Sequence, residues 1–280
     1  MVSLESLNNP ACNIDLLYHF TSARVGIEEL LFKKQIKFGP LSHTNDPLEF
    51  QDFYHVVVAD SSELRSEVDK TVSKANEANR ILKTKYRICC FTSDVHLKEE
   101  LDYSIFDRGF SKSRMWSQYA DSHKGICLVF SKVKFQTNIG TNPKSFDIPI
   151  ETEFFLSSDF VSYSNDVTAI VKMLAIDHAE AKDKTAFEIL EKNLGRYLYS
   201  KYRDYRDEQE FRVSLYSDYF KASESLYVNF ADSLEAIILG SRFPVPYIEN
   251  ILRYEKELGV SVYQMDWYNG RPSVVGEWNT

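Results

Sequence analysis

Six short segments with the composition of β-strands constrain the fold of this chain more than any other feature. Their lengths and their content of aliphatic and aromatic residues are typical of half-buried or fully buried strands. The segments are LLYHFT, YRICCFT, GICLVFS, EQEFRVSLY, LEAIILGS and VSVYQMDW. Segments of helical period separate some of these strands but not others. Because strands and helices do not alternate strictly, we predict an α+β fold rather than a doubly wound parallel sheet.

The chain has 280 residues and neither an internal repeat nor a low-complexity linker. We therefore predict a single α+β domain over residues 1–280, with a mainly helical insertion at about 165–202. The net charge of −8 argues against a protein that coats nucleic acid, because neutralising phosphates requires an excess of Lys and Arg.

The N-terminal segment MVSLESLNNPACNIDLL lacks the basic region and apolar run of a signal peptide. No window approaches the roughly 20 apolar residues that span a bilayer. The four cysteines (Cys12, Cys89, Cys90 and Cys127) form no C-x-x-C pair, and adjacent Cys89 and Cys90 would point to opposite faces of a strand. We expect free thiols in a cytoplasmic protein without membrane contact.

Several common catalytic motifs are absent. The chain contains no G-x-G-x-x-G, no G-x-x-x-x-G-K-[ST], no H-E-x-x-H and no G-x-S-x-G. These absences argue against Rossmann dehydrogenases, P-loop enzymes, zincins and α/β-hydrolases.

Two polar clusters in the first half of the chain are candidate site segments. In LLYHFT, Tyr18, His19 and Thr21 interrupt a strand that is otherwise apolar. His19 is either a histidine that finds a partner within the core or one placed at the floor of a ligand cleft. In NDPLE at 45–49, the Asn, Asp and Glu side chains either form a turn around the proline or contribute to a site.

Two further clusters lie downstream. In RMWSQYADSHKG, the aromatic residues either pack against the core as one face of a helix or stack on a ligand. In EQEFR, the strand period places Glu208, Glu210 and Arg212 on one face. Such a face either protects a solvated strand edge or requires a cleft or ion pairs that satisfy the charges.

The chain contains, in this order, LYHFTS, NDPLE, RICCFTSD, MWSQYADSHKGICLVF, DEQEFR and LEAIILGS with GVSVYQMDW. This ordered set of segments resembles the bacterial domain of unknown function 2971. More distantly, the opening YH-[FIV]-T strand, the aromatic-bearing middle and the late strand starting with Glu or Gln-x-Glu resemble the ADP-ribosyltransferase superfamily. That resemblance implies a split β-sheet with surrounding helices and NAD⁺ lying across its cleft. It favours the branch with a His, an aromatic residue and a Glu.

The resemblance also implies roles for individual residues. His19, together with Tyr18 and Thr21, would bind NAD⁺, with His19 bonding the adenosine ribose. Trp116 or Tyr119 would stack near the nicotinamide. Glu210 would hold the nicotinamide-ribose hydroxyl, and Glu208 would act as the base for an incoming nucleophile. Further candidates are Asn45, Asp46, Glu49, Arg114, His123 and Arg212, and the arginines considered for the pyrophosphate are Arg24, Arg87 and Arg114.

The expected function is therefore an ADP-ribosyltransferase-like enzyme that consumes NAD as substrate. It would cleave the nicotinamide–ribose bond and modify a protein, DNA or RNA acceptor, as a toxin or anti-phage effector. No metal is expected, and an inhibitory or activating protein partner is a further candidate. Two alternatives remain open. One is a nuclease or phosphodiesterase with Mg²⁺ or Mn²⁺ held by His19, Asp46, Glu49, His123 and Glu210. The other is a non-catalytic module that binds a nucleotide or a protein.

Overall fold

A computed structural model describes residues 2–9, 15–44, 46, 49, 54–94, 104–141, 153–165 and 173–276. Helices and strands are mixed along these segments, which confirms the mixed helix-and-strand class. The strands are β1 (Leu16–Thr21), β2 (Gln35–Pro40), β3 (Tyr54–Val58), β4 (Tyr86–Ser93), β5 (Ile126–Ser131), β6 (Phe155–Phe160), β7 (Ser162–Ser164), β8 (Met173–Asp177), β9 (Ser200–Tyr202), β10 (Glu210–Tyr216), β11 (Leu226–Asn229), β12 (Leu234–Leu239), β13 (Ser261–Tyr268) and β14 (Arg271–Val275).

The helices surround these strands and are mostly short. They are α1 (Leu4–Asn8), α2 (Ala23–Val25), α3 (Arg65–Lys85), α4 (Ser113–Gln118), α5 (Lys132–Thr141), α6 (His178–Ala181), α7 (Ala186–Lys192), α8 (Leu194–Leu198) and α9 (Ile248–Leu258). A π-helical segment, Gly26–Leu31, continues α2 directly, and Ser22 caps α2 by accepting a hydrogen bond from the Val25 amide.

Ten of the strands form one large sheet. Its main path runs β11-β2-β4-β1-β5-β12-β13-β14, and β10 pairs with both β4 and β6. Within the described strands of this sheet, β12 and β13 are parallel and the other pairs are antiparallel. The parallel pair is joined by a crossover through α9, as parallel connections require.

The sheet is split along one edge of β4. Strand β10 pairs with β4 over the whole length from Tyr86 to Thr92, so it occupies one edge of that strand. The other edge is shared: β1 pairs with it at Thr92 and Ser93, and β2 pairs with it at Arg87 and Ile88. No described strand pairs with residues 89–91 on this edge. The sheet therefore divides there, with β1 on one side of the gap and β2 on the other.

Two apolar cores cover the two faces of the sheet. Strand alternation places Leu17 in one core, with the apolar sides of α5 and α9, and Leu16 and Tyr18 in the other, with Phe110 and α4. Because both faces are covered, central strands such as β5 and β12 are buried along nearly their full length. This explains why the sequence of those strands is continuously apolar.

Two smaller parallel sheets, β3–β8 and β7–β9, lie outside the ten-stranded sheet. The predicted helical insertion at about 165–202 is mixed in its described part: it contains α6, α7 and α8 but also β8 and β9. These two strands pair with partners distant in the chain, which local periodicity does not reveal. The assignment of the chain to a single domain stays a prediction.

Among the segments that the structure describes, none of the helices combines the length and the apolar composition needed to cross a membrane.

Candidate functional site

A cleft of about 280 Å³ opens where the sheet splits. Its lining comes from β1, β2, β4 and the start of β10, with additions from α4 and the 3₁₀ segment Arg203–Glu208. Its volume lies just below the range of about 300–1,000 Å³ that is common for small-molecule pockets. All four polar clusters of the sequence contribute residues to it, among them His19, Glu49, Tyr119, Glu208 and Glu210.

His19 lies at the split itself. Its Nδ1 atom is 3.1 Å from the carbonyl oxygen of Cys90, a backbone group on the edge of β4 that lies between β1 and β2. Burial lowers the pKa of His19, and the hydrogen bond to Cys90 opposes this only in part. The neutral imidazole must carry its proton on Nδ1 to donate to a carbonyl, so Nε2 is the acceptor. No described residue bonds Nε2.

The positions of Glu208 and Glu210 depend on a turn that the sequence pattern did not reveal. Strand β10 begins at Glu210, whereas Glu208 ends the preceding 3₁₀ segment, and Gln209 between them has a left-handed φ of 45°. The prediction of one continuous strand through Glu208 is therefore wrong. The two carboxylates are neighbours nevertheless, because both contact the ammonium group of Lys201.

A buried charge cluster consists of Glu49, Lys201, Glu208, Glu210 and Arg212, and its members other than Arg212 line the cleft. Lys201 Nζ lies 2.7 Å from Glu210 Oε2 and 2.9 Å from Glu208 Oε2. Arg212 contacts Oε1 of Glu210 at 2.7 Å and Oε1 of Glu49 at 2.6 Å. Three carboxylates and two cations leave one net negative charge. Buried charges are tolerated only when they are paired in this way.

Glu210 and Lys201 are ionised around neutral pH. Burial disfavours the charge of Glu210, but Arg212 and Lys201 outweigh it and hold the pKa of Glu210 well below its usual value. Burial also disfavours the charge of Lys201, yet Glu210 and Glu49 raise its pKa well above the usual value. Glu210 is thus a permanent carboxylate at neutral pH and cannot serve there as a proton donor.

Tyrosine side chains border the cluster. The hydroxyl of Tyr119, which follows α4, donates to Glu208 Oε1 at 2.9 Å, and burial together with Glu208 raises the pKa of Tyr119. The amide of Glu210 donates to the Tyr163 hydroxyl at 2.9 Å, and Lys201 Nζ lies 5.3 Å from the centre of the Tyr205 ring. Tyr119 and Tyr205 also line the cleft.

Of the two aromatic residues considered for stacking, only Tyr119 lines the cleft. Trp116 is fully buried in the core, where its Nε1 donates to the Phe110 carbonyl and its ring meets Phe20 edge-on at 5.1 Å. His123 stacks on Trp116 with ring centres 6.4 Å apart and does not line the cleft.

The remaining candidates on β1 are largely core residues. Tyr18 is one of the residues that border the cleft, but its side chain is fully buried and packs edge-on against Phe110. Thr21 is buried and is not among the described residues that line the cleft. On β1, His19 is therefore the candidate whose polar side chain lies at the cleft, because it contacts β4 at the gap between β1 and β2.

The NDPLE segment meets the cleft in its two described residues. Asp46 and Glu49 are both buried and line the cleft, and Glu49 belongs to the charge cluster. Asn45 lies outside the described residues. Arg212, the further candidate on β10, is fully buried beneath the cleft, where it also donates to the Leu198 carbonyl at 2.6 Å.

None of the three arginines considered for a pyrophosphate is among the described residues that line the cleft. Arg24 is exposed, and Arg114 is exposed and donates to the Asp204 carbonyl. Arg87 is buried and bonds the carbonyl groups of Lys221 and Glu224, so it anchors a loop. The described cations that line the cleft outside the charge cluster are instead Lys37 and, when protonated, His43 or His19.

Among the described residues, no group of three His, Cys, Asp or Glu side chains is arranged to hold a metal ion. His123, one of the ligands considered, does not line the cleft, and Glu49, Glu208 and Glu210 are occupied by ion pairs.

Lys201 is the central residue that the sequence did not reveal. It lies on β9 and reaches the cluster because β9 packs with β7 beside the start of β10. Thr92 was missed as well: it lines the cleft opposite Glu210 in the β4–β10 register, and its buried hydroxyl has no partner among the described residues.

A family model described as "Protein of unknown function (DUF2971)" matches residues 115–213. This match supports the resemblance to that family over the segment that contains Tyr119, Lys201, Glu208, Glu210 and Arg212. A comparison with curated proteins and one with solved structures each returned no match. The resemblance to the ADP-ribosyltransferase superfamily therefore has no support from these comparisons.

Proposed function

We propose that this protein binds NAD⁺ in the cleft, cleaves the nicotinamide–ribose bond and transfers ADP-ribose to a macromolecular acceptor. One observation carries the proposal: His19 and Glu210, which lie far apart in the sequence, line a single cleft at a split in the sheet. The sequence predicts each of them as a site residue on separate grounds. The superfamily resemblance implies that the pair holds the two riboses of one dinucleotide.

The charge state of Glu210 suits this reaction. When the nicotinamide–ribose bond breaks, nicotinamide leaves with the bonding electron pair and the ribose gains oxocarbenium character, as in glycoside hydrolysis. A carboxylate that is ionised before the reaction begins can stabilise this positive charge without reorganisation. The one net negative charge that the cluster keeps after Lys201 and Arg212 are counted acts in the same direction.

The other side chains divide the remaining tasks. The acceptor's hydroxyl or amine forms the new bond to the ribose carbon, and Glu208 accepts the proton that it releases. Tyr119, bonded to Glu208, supplies a ring at the side of the cleft. The Nε2 atom of His19 accepts a hydrogen bond from a ribose hydroxyl.

The first test is nicotinamide release, followed by NMR after NAD⁺ is mixed with purified protein, with and without mixed nucleic acid and cell lysate. Glu210→Gln should reduce release at least 100-fold, a loss typical for removal of a charge-stabilising group. Glu257→Gln, which removes an exposed carboxylate on α9, is the matched control and should change nothing.

Two results would contradict the proposal. Equal release by wild type and Glu210→Gln would remove Glu210 from the reaction. NAD⁺ binding without any release, under every acceptor condition, would instead favour the non-catalytic nucleotide-binding module.

We extend the same proposal to a role as a toxin or anti-phage effector in the bacterial cytoplasm. Expression of the wild-type chain should then lower cellular NAD⁺ and slow growth, whereas Glu210→Gln should do neither. Unchanged NAD⁺ with active purified protein would point to a partner that inhibits the site in the cell.

A further inference from the structure

The central contact of the charge cluster is made by a residue that comes from outside the large sheet. Lys201 is a β9 residue, and its side chain is buried among acidic groups rather than exposed to solvent. Its ammonium nitrogen bridges Oε2 of Glu208 and Oε2 of Glu210 and lies 3.9 Å from Glu49 Oε1. Arg212 contacts Glu210 and Glu49, whereas Lys201 contacts Glu208. Lys201 is therefore the described cation that joins Glu208 to Glu210.

We propose that Lys201 is the positioning residue of this site, which keeps Glu208 and Glu210 side by side and ionised at the floor of the cleft. This inference rests on the proposed function for its consequence in the reaction, but the arrangement itself can be tested without turnover. Without the ammonium group, two neighbouring carboxylates repel each other in a poorly solvated place. One of them would then take up a proton or turn away, and the site would lose either its base or its stabilising charge.

The thiol of Cys90 and the hydroxyls of Tyr119 and Tyr163, which surround the two carboxylates, do not titrate in the same range. Burial raises the pKa of Cys90, Tyr119 and Tyr163 above their usual values, so these groups stay protonated at neutral pH. The further charged or titratable groups that face the cluster are Asp46, Glu49, Tyr205 and Arg212. Because His19 and His43 also line the cleft, the titration is followed at glutamate carboxyl carbons, where a new step between about pH 5 and 8 in a Lys201 variant reports a carboxyl group of this cluster.

The experiment compares Lys201→Met, Lys201→Arg and Lys221→Met with the wild type. Lys221→Met removes an exposed lysine and is the matched control. Glutamate carboxyl carbons are labelled with ¹³C and titrated by NMR. Lys201→Met should show one additional carboxyl that titrates at least about one pH unit above an ordinary glutamate, as repelling carboxylates do. Lys201→Arg and Lys221→Met should not show it. Glu208→Gln or Glu210→Gln in the Lys201→Met background should remove the new titration.

A second readout follows the reaction. The acidic limb of the pH profile for nicotinamide release should move upward by about one pH unit in Lys201→Met and return in Lys201→Arg. If no variant releases nicotinamide, the proposed function fails while the carboxyl titration still decides the role of Lys201. If release occurs and neither the pH profile nor the carboxyl titration changes in Lys201→Met, Lys201 is not a positioning residue.

A measurement on the wild type guards against a variant that does not fold. The side-chain ¹⁵Nζ signal of Lys201, assigned by its loss in Lys201→Arg, should remain that of an ammonium group above the usual lysine pKa of about 10.4. Titration at or below that value would overturn the proposal, because the ammonium group would not then be held by two carboxylates.

Discussion

The imidazole of His19 forms a hydrogen bond with the backbone carbonyl of Cys90, with 3.1 Å between Nδ1 and the carbonyl oxygen. Elsewhere along the edge of a sheet, a backbone amide of the neighbouring strand donates to such a carbonyl. This contact explains how β1 and β2 can separate along β4 without leaving the Cys90 carbonyl unpaired. His19 therefore has a structural partner and a place in the cleft at the same time. The two interpretations of this histidine that the sequence left open do not exclude each other.

His19 should titrate below the usual histidine pKa of about 6.5, because burial disfavours its charged form. The folded state then binds fewer protons than the unfolded state as pH falls through 6.5, so the free energy of unfolding should decrease below that pH. A ¹⁵N-imidazole NMR titration measures the pKa and also the Nδ1–H tautomer, and His19→Gln assigns the signal. A titration midpoint above 6.5 would contradict the arrangement described.

Removing one member of the charge cluster should destabilise the fold strongly. Glu210→Ala removes the buried carboxylate that both Arg212 and Lys201 contact, leaving Arg212 paired with Glu49 and Lys201 with Glu208, so we expect a loss of about 3–5 kcal/mol in the free energy of unfolding. Glu257→Ala removes a carboxylate paired with Arg253 on the surface of α9, and about 0.5 kcal/mol or less is expected there. Urea unfolding of both variants measures the difference. Similar losses of stability in Glu210→Ala and Glu257→Ala would contradict the burial of the cluster, because they would mean that water solvates its charges.

The contribution of Glu210 to the free energy of unfolding should be lost as the pH becomes acidic. Because its pKa is lowered on folding, its stabilising effect is present above the unfolded pKa of about 4.3 and disappears as pH falls toward the folded value. The difference in stability between wild type and Glu210→Gln should thus be constant from about pH 5 to 8 and shrink at lower pH. Urea unfolding at several pH values tests this; a difference that grows in acid would contradict the ion pairs.

Trp116 and Tyr119 should respond differently to substitution by phenylalanine. Trp116→Phe leaves a cavity and an unpaired Phe110 carbonyl, so it should cost about 2–3 kcal/mol of stability, with NAD⁺ affinity unchanged. Tyr119→Phe removes a hydrogen bond to a carboxylate at the cleft, and nicotinamide release should fall at least about tenfold. Calorimetric binding and unfolding measurements on both variants separate the two roles. Loss of NAD⁺ binding in Trp116→Phe alone would reverse this assignment.

Local patterns in the sequence were sufficient for six strands and for one part of the site. The apolar segments form β1, β4, β5, β10, β12 and β13, because continuous apolar sequence is stable only between two cores. The placement of Glu210 and Arg212 on one strand face follows from the period of two residues and is seen in their direct ion pair.

Tertiary structure decided the rest of the site. Trp116 and Tyr119 belong to the same short segment of the sequence. Which of them is fully buried in the core and which lines the cleft depends on how α4 lies on the sheet. The left-handed turn at Gln209 has no glycine to mark it, although that turn brings Glu208 beside Glu210. Lys201 reaches both carboxylates only because β9 pairs with β7, a contact between residues separated along the chain. Sequence period determines the direction of a side chain within its own element, whereas a buried ion pair depends on where separate elements meet.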